Sequence, residues 1–269
     1  MAADTPSDSG AAPLDVAALA AALAGAELGQ PLIYLPVIGS TNTHAVALAR
    51  AGASAGTLVL TDEQPTGRGR AGRAWRSLPR RQVLASLILR PAFPPHVLVM
   101  AAALAVAETV EAETGTRPDI KWPNDVLSAG RKLCGVLIEA GSDHAGQPFA
   151  VLGIGLNVNG SLADDPELAG RAATLADLAG HPLSREAVIM RLLAALARHY
   201  DDLQRGGEAA RMRVRAAWRA RLATLGSRVR LTQSGQVAEG MAEDVDADGA
   251  LLLRRDDGSL LTVTWGDVS

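Results

Sequence analysis

The sequence predicts an α+β protein, a mixed β-sheet with packed helices, followed by a small all-β unit at the C-terminal end. Three observations carry that expectation. Up to Leu222, short apolar runs alternate with helical patterns, and two of the runs flank a hairpin turn at Ser128-Ala129-Gly130. After Gly226 the texture changes to four short strand candidates, Arg228–Thr232, Val237–Asp244, Ala250–Arg254 and Ser259–Thr264, the pattern of a small barrel or sandwich. A hydrophobic fraction of 48% over 269 residues supplies core for one sizeable domain and a small second one. The expected division is a disordered tail over 1–13, a main unit over 14–224 and a C-terminal unit over 225–269.

Each element has a local reason. Leu14–Leu23 combines apolar spacing with alanine-rich helix propensity, and Gly25 is its expected stop. Leu32–Val37 is a short strand that runs into Ile38-Gly39-Ser40-Thr41-Asn42, where Ser40 or Thr41 can cap a helix over Thr43–Ala51. Thr57–Thr61 and Gln82–Leu89 are further strands, and a helix is expected over Val97–Glu113. Pro118–Trp122 is a strand ended by the turn Pro123-Asn124-Asp125. Val126-Leu127 and Lys132–Glu139 form the hairpin, and Pro148–Val158 is another strand. Helices are expected over Thr174–Leu178, Arg185–Gln204 and Glu208–Leu222.

Composition narrows the functional classes. The first residues are small, acidic and rich in Ala, Ser and Pro, as in a disordered tail, and they lack the basic start of a signal peptide. The longest uncharged apolar run, Val97 to Ala107, is too short to cross a bilayer, so a cytoplasmic protein without a membrane partner is expected. Cys134 is the single cysteine, which excludes an internal disulfide and a multi-cysteine zinc site, and its apolar neighbours place it in a strand core. The five histidines are scattered without metal-ligand spacing. A net charge of −3 gives no general attraction to nucleic acid. Locally the balance differs: from Gln64 to Ala107 there is no Asp or Glu, but seven arginines.

Of the 26 basic residues only Lys121 and Lys132 are lysines, and Asn42, Asn124, Asn157 and Asn159 are the only asparagines. Such scarcity suits a GC-rich coding sequence that replaces both residue types where it can. The lysines left are then candidates for work a guanidinium cannot do.

Three constellations carry chemistry. In Gly67-Arg68-Gly69-Arg70-Ala71-Gly72-Arg73-Ala74-Trp75, glycines allow close backbone approach, arginines offer forks for phosphate or carboxylate, and Trp75 offers a face for a base. The spacing matches a dinucleotide fingerprint, but Pro79 and a strand follow where that motif needs a helix, so the dinucleotide fold is excluded. A nucleic-acid-binding loop is a weaker alternative, since the basic run is short and holds one aromatic. In Lys121-Trp122-Pro123-Asn124-Asp125, with Lys132-Leu133-Cys134-Gly135, Asp125 is a candidate Mg²⁺ ligand and either lysine can meet a reacting phosphate. Trp122 is expected in the core. In Gly153-Ile154-Gly155-Leu156-Asn157-Val158-Asn159, the odd positions share one strand face and the apolar ones the other. That leaves a bare backbone on which a ligand can lie, with Asn157 able to read a base edge; a tight sheet–helix contact is the alternative use of the glycines. With no Ser–His pair and no activated cysteine, the set suits nucleotidyl chemistry by positioning and charge stabilisation.

In order and content these motifs resemble the biotin protein ligases, and Ser40-Thr41-Asn42 and Gln64 also fall where that family places them. The likeness covers about Leu14 to Ser269. It implies a sheet of the class II aminoacyl-tRNA synthetase and biotin ligase type with an SH3-like C-terminal barrel. It implies joining of biotin to AMP from MgATP, then transfer to one lysine of a biotin carboxyl carrier protein. Carried over, Ser40, Thr41, Asn42, Gln64, Gly67, Arg68, Gly69, Arg70, Lys132 and Gly135 would hold biotin. Arg68, Arg70, Arg73, Trp75 and Asn157 would hold ATP and the adenylate, Asp125 would help place Mg²⁺, and Arg70, Lys132 and Lys121 would serve catalysis. The glycine–arginine loop is expected to be mobile before binding and to close over the intermediate. No helix-turn-helix module precedes Ile33, which suits the monofunctional class with no DNA partner. A lipoate–protein ligase of the same fold, or a nucleotide- or nucleic-acid-binding module, are the alternatives.

Overall fold

A computed structural model describes residues 12–162, 165–233 and 236–269. Most of the expected tail, residues 1–11, lies outside the described residues.

The chain opens with helix α1 (Val16–Ala22), capped by the Asp15 carboxylate, which accepts from the Ala18 N–H at 2.9 Å. Strand β1 (Leu32–Val37) leads to helix α2 (Thr41–Arg50), whose N-cap is Ser40. Strands β2 (Leu58–Glu63) and β3 (Gln82–Leu89) flank the glycine–arginine segment, and helix α3 (Val97–Thr114) follows. Four strands come next, β4 (Asp119–Lys121), β5 (Asp125–Ser128), β6 (Arg131–Ser142) and β7 (Pro148–Asn157). Helices α4 (Leu175–Ala179), α5 (Arg185–Arg205) and α6 (Gly207–Arg219) complete the first part.

The seven strands form one sheet in the order β1-β2-β3-β7-β6-β5-β4, with only β1 and β2 parallel. This is the mixed sheet the sequence predicts. The β5–β6 turn is tight because Ala129 and Gly130 both take positive φ, 47° and 73°, as a two-residue hairpin loop requires.

Strand alternation divides the apolar residues between two layers. Ile154, Leu156, Cys134 and Val136 point to the main core, built with α3, α5 and α6. Helix α3 is apolar nearly all round, and 12 of its 18 residues are buried, which makes it the centre of that layer. The opposite face packs on α2 through a smaller cluster containing Ala45, Ala49, Val59, Ile88, Phe149 and Val151. Beyond that cluster the α2 side of the sheet carries Ser86, Gly135, Gly153, Gly155 and Asn157 in place of apolar side chains. The site lies there. No helix among the described residues is long and apolar enough to cross a membrane.

The C-terminal part is an antiparallel sheet of five strands: β8 (Arg228–Gln233), β9 (Gln236–Val245), β10 (Leu251–Arg254), β11 (Leu260–Val263) and β12 (Asp267–Val268). The order β11-β10-β9-β8-β12 leaves the two end strands unpaired with each other among the described residues. Four of these strands lie close to their expected places. The fifth, β12, is two residues long and too short to show a pattern in sequence.

Candidate active site

The glycine–arginine segment folds as a hairpin of its own. The Gly69 N–H donates to the Arg73 carbonyl at 2.7 Å, and the Trp75 N–H donates to the Gly67 carbonyl at 2.8 Å. A 3-10 turn at Arg70–Gly72 reverses the chain, with Ala71 and Gly72 at φ 52° and 75°. Gly67 has to be glycine, since a Cβ there would stand 2.7 Å from the Trp75 carbonyl oxygen.

This hairpin covers a cavity of about 800 Å³ on the α2 side of the sheet. Every expected site residue except Gly67 lines it, and Gly67 supports the hairpin from behind. Both lysines of the chain and three of its four asparagines are in the lining. Seven basic residues line the cavity against two acidic ones, Asp125 and Glu167, which leaves an excess of positive charge around it.

One wall is a hydrogen-bonded series that starts at the first turn of α2. The Gln64 Oε1 accepts from the Thr41 N–H at 2.7 Å and from its hydroxyl at 3.0 Å. The Ser86 hydroxyl, fully buried on β3, lies 2.8 Å from Thr41 Oγ1 and donates to Asn42 Oδ1 at 2.7 Å. Asn42 Nδ2 donates to Glu139 at 2.9 Å, and Arg68 donates to the other Glu139 oxygen at 3.3 Å. The expected site residues at the start of α2, just after β2 and on the hairpin are thus joined through Ser86 and Glu139, which sequence reasoning missed. A serine inside the apolar run of β3 and an acid on the cavity face of β6 were the available signals.

The floor consists of two glycines paired across strands, Gly135 on β6 and Gly155 on β7. The Trp75 indole lies on them, and Cβ atoms at these positions would come within 3.1 and 2.6 Å of its ring. The indole Nε1 is buried and has no hydrogen-bond partner among the described residues. Gly153 serves differently, because a Cβ there would meet Asn42 at the start of α2. The glycine run thus serves two contacts, the Trp75 indole on Gly155 and a sheet–helix contact at Gly153; the side chain of Trp75 lies where a ligand was expected.

The far wall holds the charged pair. Lys132 Nζ is 2.8 Å from Asp125 Oδ1 and 5.6 Å from the centre of the Trp75 ring. Lys121 also lines the cavity, and Trp122 beside it is buried in the core, its Nε1 donating to the Gly249 carbonyl at 2.9 Å. Cys134 is fully buried, and burial pushes its thiol well above the ordinary range. Asn157 is also buried; its Nδ2 donates to the carbonyls of Lys132 and Ala173 at 3.3 and 3.2 Å.

Three arginines of this segment reach partners beyond it. Arg70 donates to Asn124 Oδ1 at 2.6 Å and to the Gly266 carbonyl at 3.2 Å. Burial lowers the proton affinity of its guanidinium, an effect opposed by Asp267 and Asp125 and reinforced by Arg73. Arg73 pairs with Asp267 at 2.6 Å. Arg76 pairs with Asp165 and Glu167 at 3.5 and 3.2 Å, and so joins the hairpin to the segment before α4. The pairings of Arg73 with Asp267 and of Arg76 with Asp165 and Glu167, and the place of Arg171 in the lining, were not read from the sequence.

Among the described residues no group of three or more His, Cys, Asp or Glu is placed to hold a metal ion. Asp125 is a single carboxylate with one oxygen on Lys132. That fits a Mg²⁺ that arrives with substrate phosphates and water as its remaining ligands, and it does not fit a resident metal.

A positive cavity with a glycine floor on a mixed sheet suits a nucleotide site. Residues 34–159 match the Biotin/lipoate A/B protein ligase family, and residues 224–269 match the Biotin protein ligase C terminal domain. The chain is 37% identical to the Biotin–[acetyl-CoA-carboxylase] ligase of Mycobacterium tuberculosis, over 95% of each chain. It is 36% identical to the enzyme of that name from Paracoccus denitrificans, over 80% of this chain and 90% of that one. The biotin protein ligase from Aquifex aeolicus in complex with biotin and ATP superposes with a TM-score of 0.76 at 27% identity, over 89% of this chain and 98% of that one. The chain belongs to the biotin protein ligases.

Proposed function

We propose that the protein activates biotin as biotinyl-5′-AMP and transfers the biotinyl group to a lysine of a biotin carboxyl carrier protein. The observation that carries this reading is the gathering of the motif residues, both lysines included, around one positive cavity. In the first step a biotin carboxylate oxygen attacks the α-phosphorus of MgATP, the bond to the β-phosphate oxygen breaks, and pyrophosphate leaves. The attack brings two anions together, and Arg68, Arg70 and Lys132 offset that charge in a site partly closed to water. Lys121 supplies a further ammonium for the phosphates. Ser40, Thr41, Asn42, Gln64, Gly67, Gly69 and Gly135 shape the biotin end, and Arg73, Trp75 and Asn157 the nucleotide end. Asp125 meets the Mg²⁺ of the incoming MgATP.

In the second step the neutral amine of the carrier lysine attacks the acyl carbon and AMP leaves. We assign desolvation of the incoming lysine as the means of its deprotonation, since no general base is placed among the described residues of the site. We assign 14–224 as the catalytic unit and 225–269 as a small SH3-like β domain. Support comes from the start of the second sheet at Arg228 and of the C-terminal family match at residue 224. A cytoplasmic location agrees with the carrier as partner.

The test incubates the full chain with MgATP, a carrier domain and either biotin or lipoate. Biotin-dependent pyrophosphate release with biotin on the carrier is expected. Transfer of lipoate alone, or no pyrophosphate with biotin, overturns the reading.

A further inference from the structure

Gln82 is the first residue of β3, lies directly across from Asn157 and is 1% exposed. Its Oε1 accepts from the Leu78 N–H at 2.9 Å, and its Nε2 donates to the Arg76 carbonyl at 3.2 Å and to Asn157 Oδ1 at 2.8 Å. A backbone N–H can only donate and a carbonyl can only accept, so these two backbone partners fix which end of Gln82 is oxygen. The same logic fixes Asn157. Both hydrogens of its Nδ2 are taken by the Lys132 and Ala173 carbonyls, and Gln82 takes one lone pair of its Oδ1. Among the described residues, what Asn157 has left for the cavity it lines is one acceptor lone pair and no donor.

That remainder discriminates between purines. Adenine carries an amine donor at the ring position where guanine carries a carbonyl acceptor. An amide oxygen pairs with the first, and with the second it sets oxygen against oxygen and leaves both groups unsatisfied. We propose that Gln82, which lies outside the cavity lining, is a specificity-determining positioning residue, holding Asn157 with its oxygen free so that the site takes ATP and rejects GTP. The inference rests on the reading of the protein as an ATP-dependent biotin ligase, with Asn157 at the nucleotide end.

Two variants of the full chain test it. Gln82→Met keeps the length and volume of the side chain and removes both amide ends. Gln82→Glu replaces the donor with an acceptor, which presses Asn157 to turn its Nδ2 toward position 82 and present an N–H to the base. Biotin-dependent pyrophosphate release is measured with ATP and with GTP, as separate kcat and KM values. For Gln82→Met the ratio of kcat/KM for ATP over GTP is expected to narrow about tenfold, the worth of about one hydrogen bond, mainly through KM for ATP. For Gln82→Glu the expected result is a further narrowing with improved use of GTP. If Gln82→Glu does not fold, Gln82→Met alone decides. A fall in kcat by the same factor with both nucleotides, the ratio unchanged, would show Gln82 to be a structural brace only and overturn the inference. A wild-type chain that releases no pyrophosphate from ATP would overturn the functional reading itself, an outcome visible before any variant is made.

Discussion

Lys132 is held at both ends of the residue. Its N–H donates to the Arg171 carbonyl at 2.8 Å, and its own carbonyl accepts from Ala173 and from Asn157. Its ammonium sits between the Asp125 carboxylate and the face of Trp75. A compact ammonium on a flexible stem suits that gap, and a planar guanidinium, longer and wider, does not. Lys132→Arg keeps the charge, so the change tests shape and position alone. Pyrophosphate release is expected to fall by about 10²–10³-fold, the scale of losing one well-placed charge-stabilising donor. The urea midpoint should stay close to the wild-type value, because the side chain is half-buried and on the wall of a cavity. Activity that survives intact would mean that the scarcity of lysine in this chain says nothing about the ones that remain.

At the scale of the element, the glycine–arginine hairpin was half legible. Its composition announced a loop built for an anion, and the glycine at position 67 is demanded by the Trp75 carbonyl. Its actual shape was not legible, because the partners that hold it are far away in sequence: Arg68 meets Glu139 across 71 positions, and Arg73 meets Asp267 across 194. Local patterns report periodicity and turn chemistry, and they carry no signal for contacts of that reach. The same limit hid Ser86, Glu139 and Gln82, each a lone polar residue on the cavity face of a strand. By contrast the two faces of Gly153–Asn157 were legible, since a two-residue period shows which side is core; that Trp75 covers Gly155 and that Asn159 turns away to Leu183 were not. The prediction at this scale concerns Arg70, which ties the hairpin to Asn124. Arg70→Ala leaves Asn124 Oδ1 without its charged donor, and the adenylate should leave the enzyme about tenfold faster. A filter-retention assay of labelled biotinyl adenylate measures this, and unchanged retention would contradict closure by Arg70.

For the whole molecule, the last strand of the chain completes the site begun near its start. Gly266 and Asp267 of the C-terminal sheet receive Arg70 and Arg73, so the two sheets share one loop. The Arg73–Asp267 pair is exposed and contributes at most about 1 kcal/mol to stability. Asp267→Ala should therefore leave the thermal midpoint nearly unchanged and raise the rate of adenylate release several-fold. Arg73→Ala should do the same, and the double variant should be no worse than either single one. Additive effects would show that the pair does not act as a unit. The placement of the two lysines has a different consequence. An acyl adenylate that escapes is an acylating reagent, and it attacks any accessible lysine amine it meets. The only lysines in this chain, Lys121 and Lys132, both line the cavity, and all its remaining Lys/Arg positions are arginine. The protein handles a reactive intermediate while presenting almost no lysine of its own for that intermediate to mark.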